Sequence, residues 1–144
     1  MSLDRILLIT CAAATWWMTG LIWFVQSVHY PLFEQVGHDQ FQPYHAAHCR
    51  LTKRVVLVPM LLELVLALAI AYRSTGDQIY LAYAGGFFAI MTWAMTFFRQ
   101  LKDHDQLSSG FNVESHRRLL SGNFPRALIW TSHALVVFIQ CLSL

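Results

Sequence analysis

Charged residues are scarce in this chain of 144 residues: Asp, Glu, Lys and Arg together make up 12% of it, whereas 56% is hydrophobic. Soluble domains usually contain about twice that share of charge, and disordered chains lack such an apolar majority. Three cysteines are too few for a small disulfide-stapled fold. No glycine-rich phosphate-binding loop occurs, and no nucleic-acid partner is predicted. The composition instead predicts one integral membrane domain over residues 1–144.

Four apolar segments dominate the sequence, at about residues 3–28, 55–72, 79–98 and 124–144. Each is close to the roughly 20 residues that a helix needs to cross a hydrocarbon core of about 30 Å. Backbone polar groups at that depth must hydrogen-bond within the chain, which predicts helices. The expected fold is therefore all-α, a bundle of four transmembrane helices that contacts the lipid bilayer.

Basic residues are distributed unevenly between the two ends of this bundle. Eight of the ten Lys and Arg residues lie in or beside the connections 28–55 and 98–124, and only Arg5 and Arg73 lie at the opposite end. Short connections rich in Lys and Arg generally face the cytoplasm. The sequence therefore predicts both termini on the non-cytoplasmic side, and localisation in a bacterial inner (cytoplasmic) membrane.

Polar residues recur at helical spacing within the apolar segments, and lipid cannot solvate them, so they should face the bundle interior. Glu63 is the only acid well inside a segment and His133 the only histidine there, and the two should lie at one depth. An ionisable residue inside a membrane is by default a functional hypothesis. We predict a catalytic, proton-transferring role for the Glu63–His133 pair. The alternative is a purely structural hydrogen bond.

The two basic connections also hold six of the seven histidines. His45 and His48 lie one turn apart if their segment is helical, so both could face one metal ion. His29 ends a polar stripe on the first helix, and His116 is a further candidate ligand. Cys49 should point about 100° away from His48 on a helix, which makes it a weaker candidate. We interpret His38 and His104 as solvated loop residues. The same interpretation is the alternative for His116.

Histidines with a carboxylate suit iron, copper or zinc, so a transition metal is the predicted cofactor. Haem is the weaker alternative, because His133 alone lies at mid-membrane depth. Arg99 and Arg126 reach the same end of the bundle as the histidines and would bind an acidic or quinone-like ligand, since arginine holds such groups with paired donors. Snorkelling to lipid headgroups is the alternative for both arginines.

Several short motifs carry a resemblance to known families. They are His29-Tyr30-Pro31-Leu32-Phe33, Tyr44-His45-x-x-His48, Pro59-Met60-Leu61-Leu62-Glu63, His116-x-x-Leu119 and Asn123-x-x-Arg126-x-x-x-Trp130-Thr131. Over most of its length the chain resembles a family of small bacterial four-helix membrane proteins. The Asn-x-x-Arg-x-x-x-Trp element is similar, more distantly, to the anthrone-oxygenase-like family. That distant likeness implies oxidation of a flat aromatic or quinone-like molecule, with site residues at His29, His116, Asn123, Arg126 and Trp130.

Two kinds of function remain open from the sequence. The first is a metal-binding oxidoreductase or oxygenase that acts on a lipophilic aromatic or quinone-like molecule. Its predicted catalytic residues are Glu63, His133, Arg126 and Asn123, and its predicted ligand-binding residues are Arg99, Arg126 and Trp130. The second is a non-catalytic accessory subunit of a larger respiratory or photosynthetic membrane complex, with other membrane proteins as partners. A small transporter or proton channel would depend on Glu63 and His133 alone.

Overall fold

The computed structural model describes residues 2–143, and within that range all regular structure is helical. Five α-helices follow one another along the chain: α1 (Leu3–Phe24), α2 (His38–Arg73), α3 (Ile79–Met95), α4 (Leu101–Leu107) and α5 (Val113–Leu142). π-helical turns extend α1 (Val25–His29) and join α3 to α4 (Thr96–Gln100). Short 3-10 turns cover Pro31–Gln35 and Gly76–Gln78.

Local sequence signals explain where the helices begin and end. The Ser2 hydroxyl accepts a hydrogen bond from the Arg5 N–H at the start of α1, and the Asn112 side chain accepts one from the Ser115 N–H at the start of α5. Such caps satisfy N–H groups that have no partner inside the helix. Gly76 has a φ of +65°, a backbone conformation that favours glycine. Gly76 thus lies where the chain reverses direction between the long helices α2 and α3.

Four helical stretches are long and apolar enough to cross a membrane: Leu3–Gln35, His38–Arg73, Gly76–Leu107 and Val113–Leu142. Large apolar side chains such as Val58, Phe87 and Leu135 lie exposed on the outside of the bundle, which is the arrangement that lipid contact requires. The predicted all-α fold, with four helices long and apolar enough to span a membrane, is thus confirmed, and four such helices suggest an integral membrane protein. The side on which the termini lie stays a prediction.

The four long helices are packed as a square. Helix α1 packs against α2 and α5, and α3 packs against the same two helices. One end of the bundle, residues 25–52 and 96–123, is called the histidine end below. The other, termini end holds the ion pair between Arg73 Nε and Asp4 Oδ1, at 2.6 Å. Since α1 and α3 each pack against both α2 and α5, helices α2 and α5 lie on one diagonal of the square.

The helices extend well beyond the apolar segments at the histidine end. Helix α2 begins at His38 and α5 at Val113, so most of each predicted connection is helical. Buried Phe33, Phe41, Leu107 and Leu119 form a core between these extensions. Hydropathy detects only the part of a helix that is apolar all round, whereas a helix that leaves the lipid keeps one apolar face.

Small residues allow α2 and α3 to approach closely. A Cβ atom added at Gly86 would lie 3.7 Å from the Ala71 Cβ and 4.0 Å from the Ala67 carbonyl oxygen. Small residues at such positions are typical of helix contacts in membranes, because they increase van der Waals contact between backbones.

Replacing Gly86 by leucine should destabilise the bundle by about 1–3 kcal/mol, the usual cost of overpacking a filled interface. The measurement is the free energy of unfolding in mixed micelles. Gly20→Leu is the matched control, because Gly20 lies exposed with no atom within 4 Å of an added Cβ. Equal stabilities of the two variants would contradict the assigned α2–α3 contact.

Candidate functional site

A buried carboxyl group lies at the centre of the bundle and joins its diagonal helices. Glu63 of α2 accepts hydrogen bonds from Trp130 Nε1 of α5 at 3.1 and 2.8 Å, one to each carboxyl oxygen. Its Oε1 atom is also 2.8 Å from His133 Nδ1. All three side chains are almost completely buried. The contact between Glu63 and His133 agrees with the depth inferred for both from the sequence.

Trp130 connects this carboxyl to a second polar group nearer the histidine end. The Arg126 guanidinium carbon lies 4.8 Å from the centroid of the Trp130 ring, which is a cation–π distance. Arg126 donates a hydrogen bond to Asn123 Oδ1 at 3.2 Å, and Asn123 Nδ2 donates one to Gln26 Oε1 at 2.9 Å. A continuous set of contacts therefore runs from the bundle centre to the first helix.

At the histidine end, the aromatic ring of Phe33 packs against several imidazole side chains. The π-helical turn brings His29 to the end of α1, and Pro31 opens the 3-10 turn that contains Phe33. The Phe33 ring is fully buried, and its centroid lies 5.4 Å from His29, 6.0 Å from His45 and 5.1 Å from His48. This ring fixes the positions of three histidines from two separate segments.

Three metal-ligating side chains converge beside Phe33. His45 Nε2 and His104 Nδ1 are 3.1 Å apart, and Cys49 Sγ lies 3.7 Å from the first and 3.8 Å from the second. On a tetrahedral ion with zinc-like bond lengths, two nitrogens would be about 3.3 Å apart and nitrogen and sulfur about 3.5 Å apart. These three side chains, called the His-Cys-His group below, are thus already spaced as ligands of one ion.

Neighbouring groups orient the members of the His-Cys-His group. The second ring nitrogen of His104 lies 2.9 Å from the Tyr30 hydroxyl, and ligand histidines usually hold such a partner on the nitrogen that faces away from the metal. His48 adjoins the group, with its ring centroid 5.4 Å from that of His104. His48 Nδ1 is 2.7 Å from His29 Nε2 and 3.2 Å from the Thr52 hydroxyl. At least one ring of the His29–His48 pair is therefore neutral, because one nitrogen must accept.

A cavity extends from this group into the bundle. It has a volume of about 380 Å³ and is lined mainly by apolar and aromatic side chains, with His48, Cys49, His104 and Arg126 among its polar ones. We call it the inner cavity. A second, more open pocket of about 280 Å³ lies on the other side of the group and is lined by His45, Cys49 and His104 themselves. Cys49 and His104 therefore line both the inner cavity and the surface opening, whereas His45 lines only the opening.

The structure brings only some of the sequence-predicted residues together. Of the predicted metal ligands, His45 belongs to the group, and His29 and His48 adjoin it. His116 does not: its Nε2 lies 2.8 Å from the Tyr30 carbonyl oxygen and its Nδ1 3.1 Å from Glu34, so both ring nitrogens are engaged.

The predicted catalytic and ligand-binding residues also divide into two sets. Arg126 lines the inner cavity, whereas Asn123, Trp130, Glu63 and His133 are absent from its lining among the described residues. Arg99 is exposed, lies against Gly122 and is absent from the lining of the inner cavity, so of the two arginines Arg126 is the one that lines it. Two of the four residues outside the cavity, Asn123 and Trp130, contact Arg126 directly, and Glu63 connects Trp130 to His133.

The sequence analysis does not identify two members of the His-Cys-His group, His104 and Cys49, as leading metal-ligand candidates. His104 was interpreted as a loop residue, which is wrong, because the π-helical turn continues α3 into α4 and carries His104 into the cluster. The solvated-loop alternative is likewise wrong for His116, which is buried. Cys49 points away from its neighbour His48 on a helix, but it lies four residues after His45 and hence on the same helix face as His45. That i, i+4 spacing was the available signal.

Comparison with known proteins gives no match: no protein-family model, curated protein or solved structure matches this chain. The resemblances drawn from short motifs therefore stay predictions.

Replacing Trp130 by phenylalanine should destabilise the protein by about 1–3 kcal/mol, because a buried carboxyl would lose its indole donor. The free energy of unfolding in micelles measures the effect. Trp17→Phe is the control, since Trp17 is 59% exposed on the outside of α1. If Trp130→Phe were as stable as the control, the Trp130–Glu63 hydrogen bonds would contribute nothing to the fold.

Proposed function

We propose that this protein is a membrane oxidoreductase that uses a transition metal held by His45, Cys49 and His104 to act on a lipophilic aromatic or quinone-like molecule in the inner cavity. One observation carries the proposal: two members of the His-Cys-His group, Cys49 and His104, line both the apolar inner cavity and an opening to the surface, and His45 lines that opening. A metal there has access to a substrate on one side and to exchange with solution on the other.

The donor set supports a redox-active metal. Two imidazoles and a thiolate suit copper, iron and zinc, and a His₂Cys set is typical of copper centres that transfer electrons. Three protein ligands also leave a coordination position open, as catalytic metal sites require. Bound copper or iron would supply one-electron exchange with a molecule in the cavity.

The cavity lining supports a lipophilic ring as substrate. Met18, Ile22, Met60, Trp93 and Phe97 all contribute to the wall, and clefts of 300–1,000 Å³ with such walls and few polar groups are typical of small-molecule sites. Two charged side chains line the cavity, exposed Lys53 and buried Arg126, and Arg126 is the one that would orient a buried ligand. Glu63 and His133 are positioning residues in this scheme, because they hold Trp130, against which Arg126 packs.

The basic residues around the histidine end favour the cytoplasm as the side from which the metal site is reached. A bacterial inner membrane is the location that we propose.

Metal content is the first experiment. Protein purified without chelators should contain close to one copper or iron ion per chain, and His45→Ala, Cys49→Ser and His104→Ala should each lower that content at least tenfold. His38→Ala and Cys141→Ser are matched controls, because His38 is exposed and Cys141 lies near the other end of the bundle. Equal metal content in Cys49→Ser and Cys141→Ser would contradict the proposed ligand set.

Hydroquinone oxidation is the second experiment. With dioxygen as oxidant, each hydroquinone loses two electrons and two protons, and one dioxygen is reduced to two waters for every two hydroquinones oxidised. The metal-loaded protein should produce quinone absorbance faster than Cys49→Ser by at least tenfold, because the thiolate ligand is lost. A metal-loaded protein that turns over no faster than Cys49→Ser would reject hydroquinone oxidation while leaving the metal site intact.

A further inference from the structure

Two buried side chains in the inner cavity have hydrogen-bonding atoms that no described residue satisfies. Gln100 is 2% exposed, and neither its amide nitrogen nor its amide oxygen has a hydrogen-bond partner. Arg126 is 7% exposed, and its Nε atom likewise has none. Both side chains line the inner cavity. Buried polar groups without partners are uncommon in native structures, and each calls for an explanation.

The backbone around Gln100 explains why this side chain faces the cavity. Gln100 is the last residue of the π-helical turn Thr96–Gln100, where the Leu101 N–H bonds to the Thr96 carbonyl. Such a turn accommodates an extra residue and changes which positions face inward, and π-helical turns are frequent at functional sites. As a result Gln100 is buried while its neighbour Arg99 is exposed.

The unpaired atoms define what a ligand must offer. Arg126 Nε carries a hydrogen and can only donate, whereas the Gln100 amide has an oxygen that accepts and a nitrogen that donates. A ring hydroxyl both accepts and donates, so it can accept from Arg126 and donate to Gln100 Oε1. A ketone or quinone carbonyl can only accept, and would leave Gln100 Oε1 unsatisfied.

The surroundings of these atoms agree with a hydroxylated ring. Tyr30 lines the inner cavity together with Arg126, and its hydroxyl contacts His104 of the His-Cys-His group. A ring that bonded to Arg126 would thus lie next to that group, with its apolar atoms against Met60, Trp93 and the rest of the wall.

We propose that Gln100 and Arg126 form a binding site for the hydroxyl group of a phenol or hydroquinone. The inference rests on the ligand half of the proposed function and names the substrate class: the hydroxylated, reduced form of an aromatic ring. It does not depend on a bound metal, because both side chains face the cavity without one.

The test compares two ligands that differ in one hydrogen-bond donor, 1-naphthol and 1-methoxynaphthalene. Binding is measured by equilibrium dialysis with chelator-treated, full-length protein in micelles, against empty micelles as background. Wild-type protein should bind naphthol roughly tenfold more tightly than the ether, because one buried hydrogen bond is lost in the ether complex. Gln100→Met, which removes the amide at nearly constant volume, should bring this ratio close to one.

Gln140→Met is the matched control, because Gln140 is also buried but lines the pocket at the termini end. It should keep the wild-type ratio. If Gln100→Met fails to fold, Gln100→Asn retains a polar group but withdraws it from the ligand, and the same loss of preference is expected. A wild-type ratio near one, or an unchanged ratio in the Gln100 variant, would overturn the hydroxyl site.

The metal-free protein keeps the two proposals distinguishable. If wild-type protein bound neither naphthalene, the ligand half of the proposed function would fall together with the hydroxyl site. If both naphthalenes bound with equal affinity, only the hydroxyl site would fall. Loss of the metal assignment would change neither measurement.

Discussion

The buried carboxyl group of Glu63 is the constraint on which the rest of the bundle depends. A carboxyl surrounded by apolar side chains and lipid is costly unless donors reach it, and here the donors come from the diagonal helix α5. Trp130 and His133 lie three residues apart on one face of that helix. Satisfying Glu63 therefore fixes the rotation of α5 about its own axis.

That rotation determines which residues reach the histidine end. With Trp130 held against Glu63, Arg126 lies one turn earlier on the same face, packs on the indole ring and enters the inner cavity. Asn123 follows at the next step and connects to Gln26. The stripe on α5 thus contacts Glu63 at its buried end and lines the inner cavity at the other. A polar stripe can serve both purposes because its members lie at different depths.

Much of this arrangement can be predicted from residue spacing. Apolar length gives the four spanning helices, and the steps of three and four residues on α5 identify the inward face that the burial of Asn123, Arg126 and His133 bears out. Glu63 and His133 could be paired because each is the only residue of its kind at that depth. These inferences succeed because lipid penalises every polar group that faces outward.

The His-Cys-His group is harder to predict from the sequence, for two physical reasons. Its third member, His104, is separated from Cys49 by more than fifty residues, and its position depends on a π-helical turn that no composition rule announces. The helical extensions beyond the membrane carry only one apolar face, so hydropathy reads them as loops. The i, i+4 spacing of His45 and Cys49 can be seen in the sequence. It indicates a possible metal site only once His104 of α4 is known to lie beside both residues.

The distribution of satisfied and unsatisfied polar groups separates support from binding. Around Glu63 both carboxyl oxygens have donors from the protein itself. The Nε2 atom of His133 has no partner among the described residues, but the small gap that His133 lines has no room for a water molecule. In the inner cavity, Gln100 and Arg126 retain atoms without partners, and the ligating atoms of the His-Cys-His group are spaced for an ion. Buried polar atoms without partners lower the free energy of unfolding. A region that served only for packing would therefore not be expected to retain them. Unpaired polar atoms and open space thus occur together in the inner cavity, whereas the buried acid–base pair has no open space beside it, which is why we place the proposed ligand in the cavity.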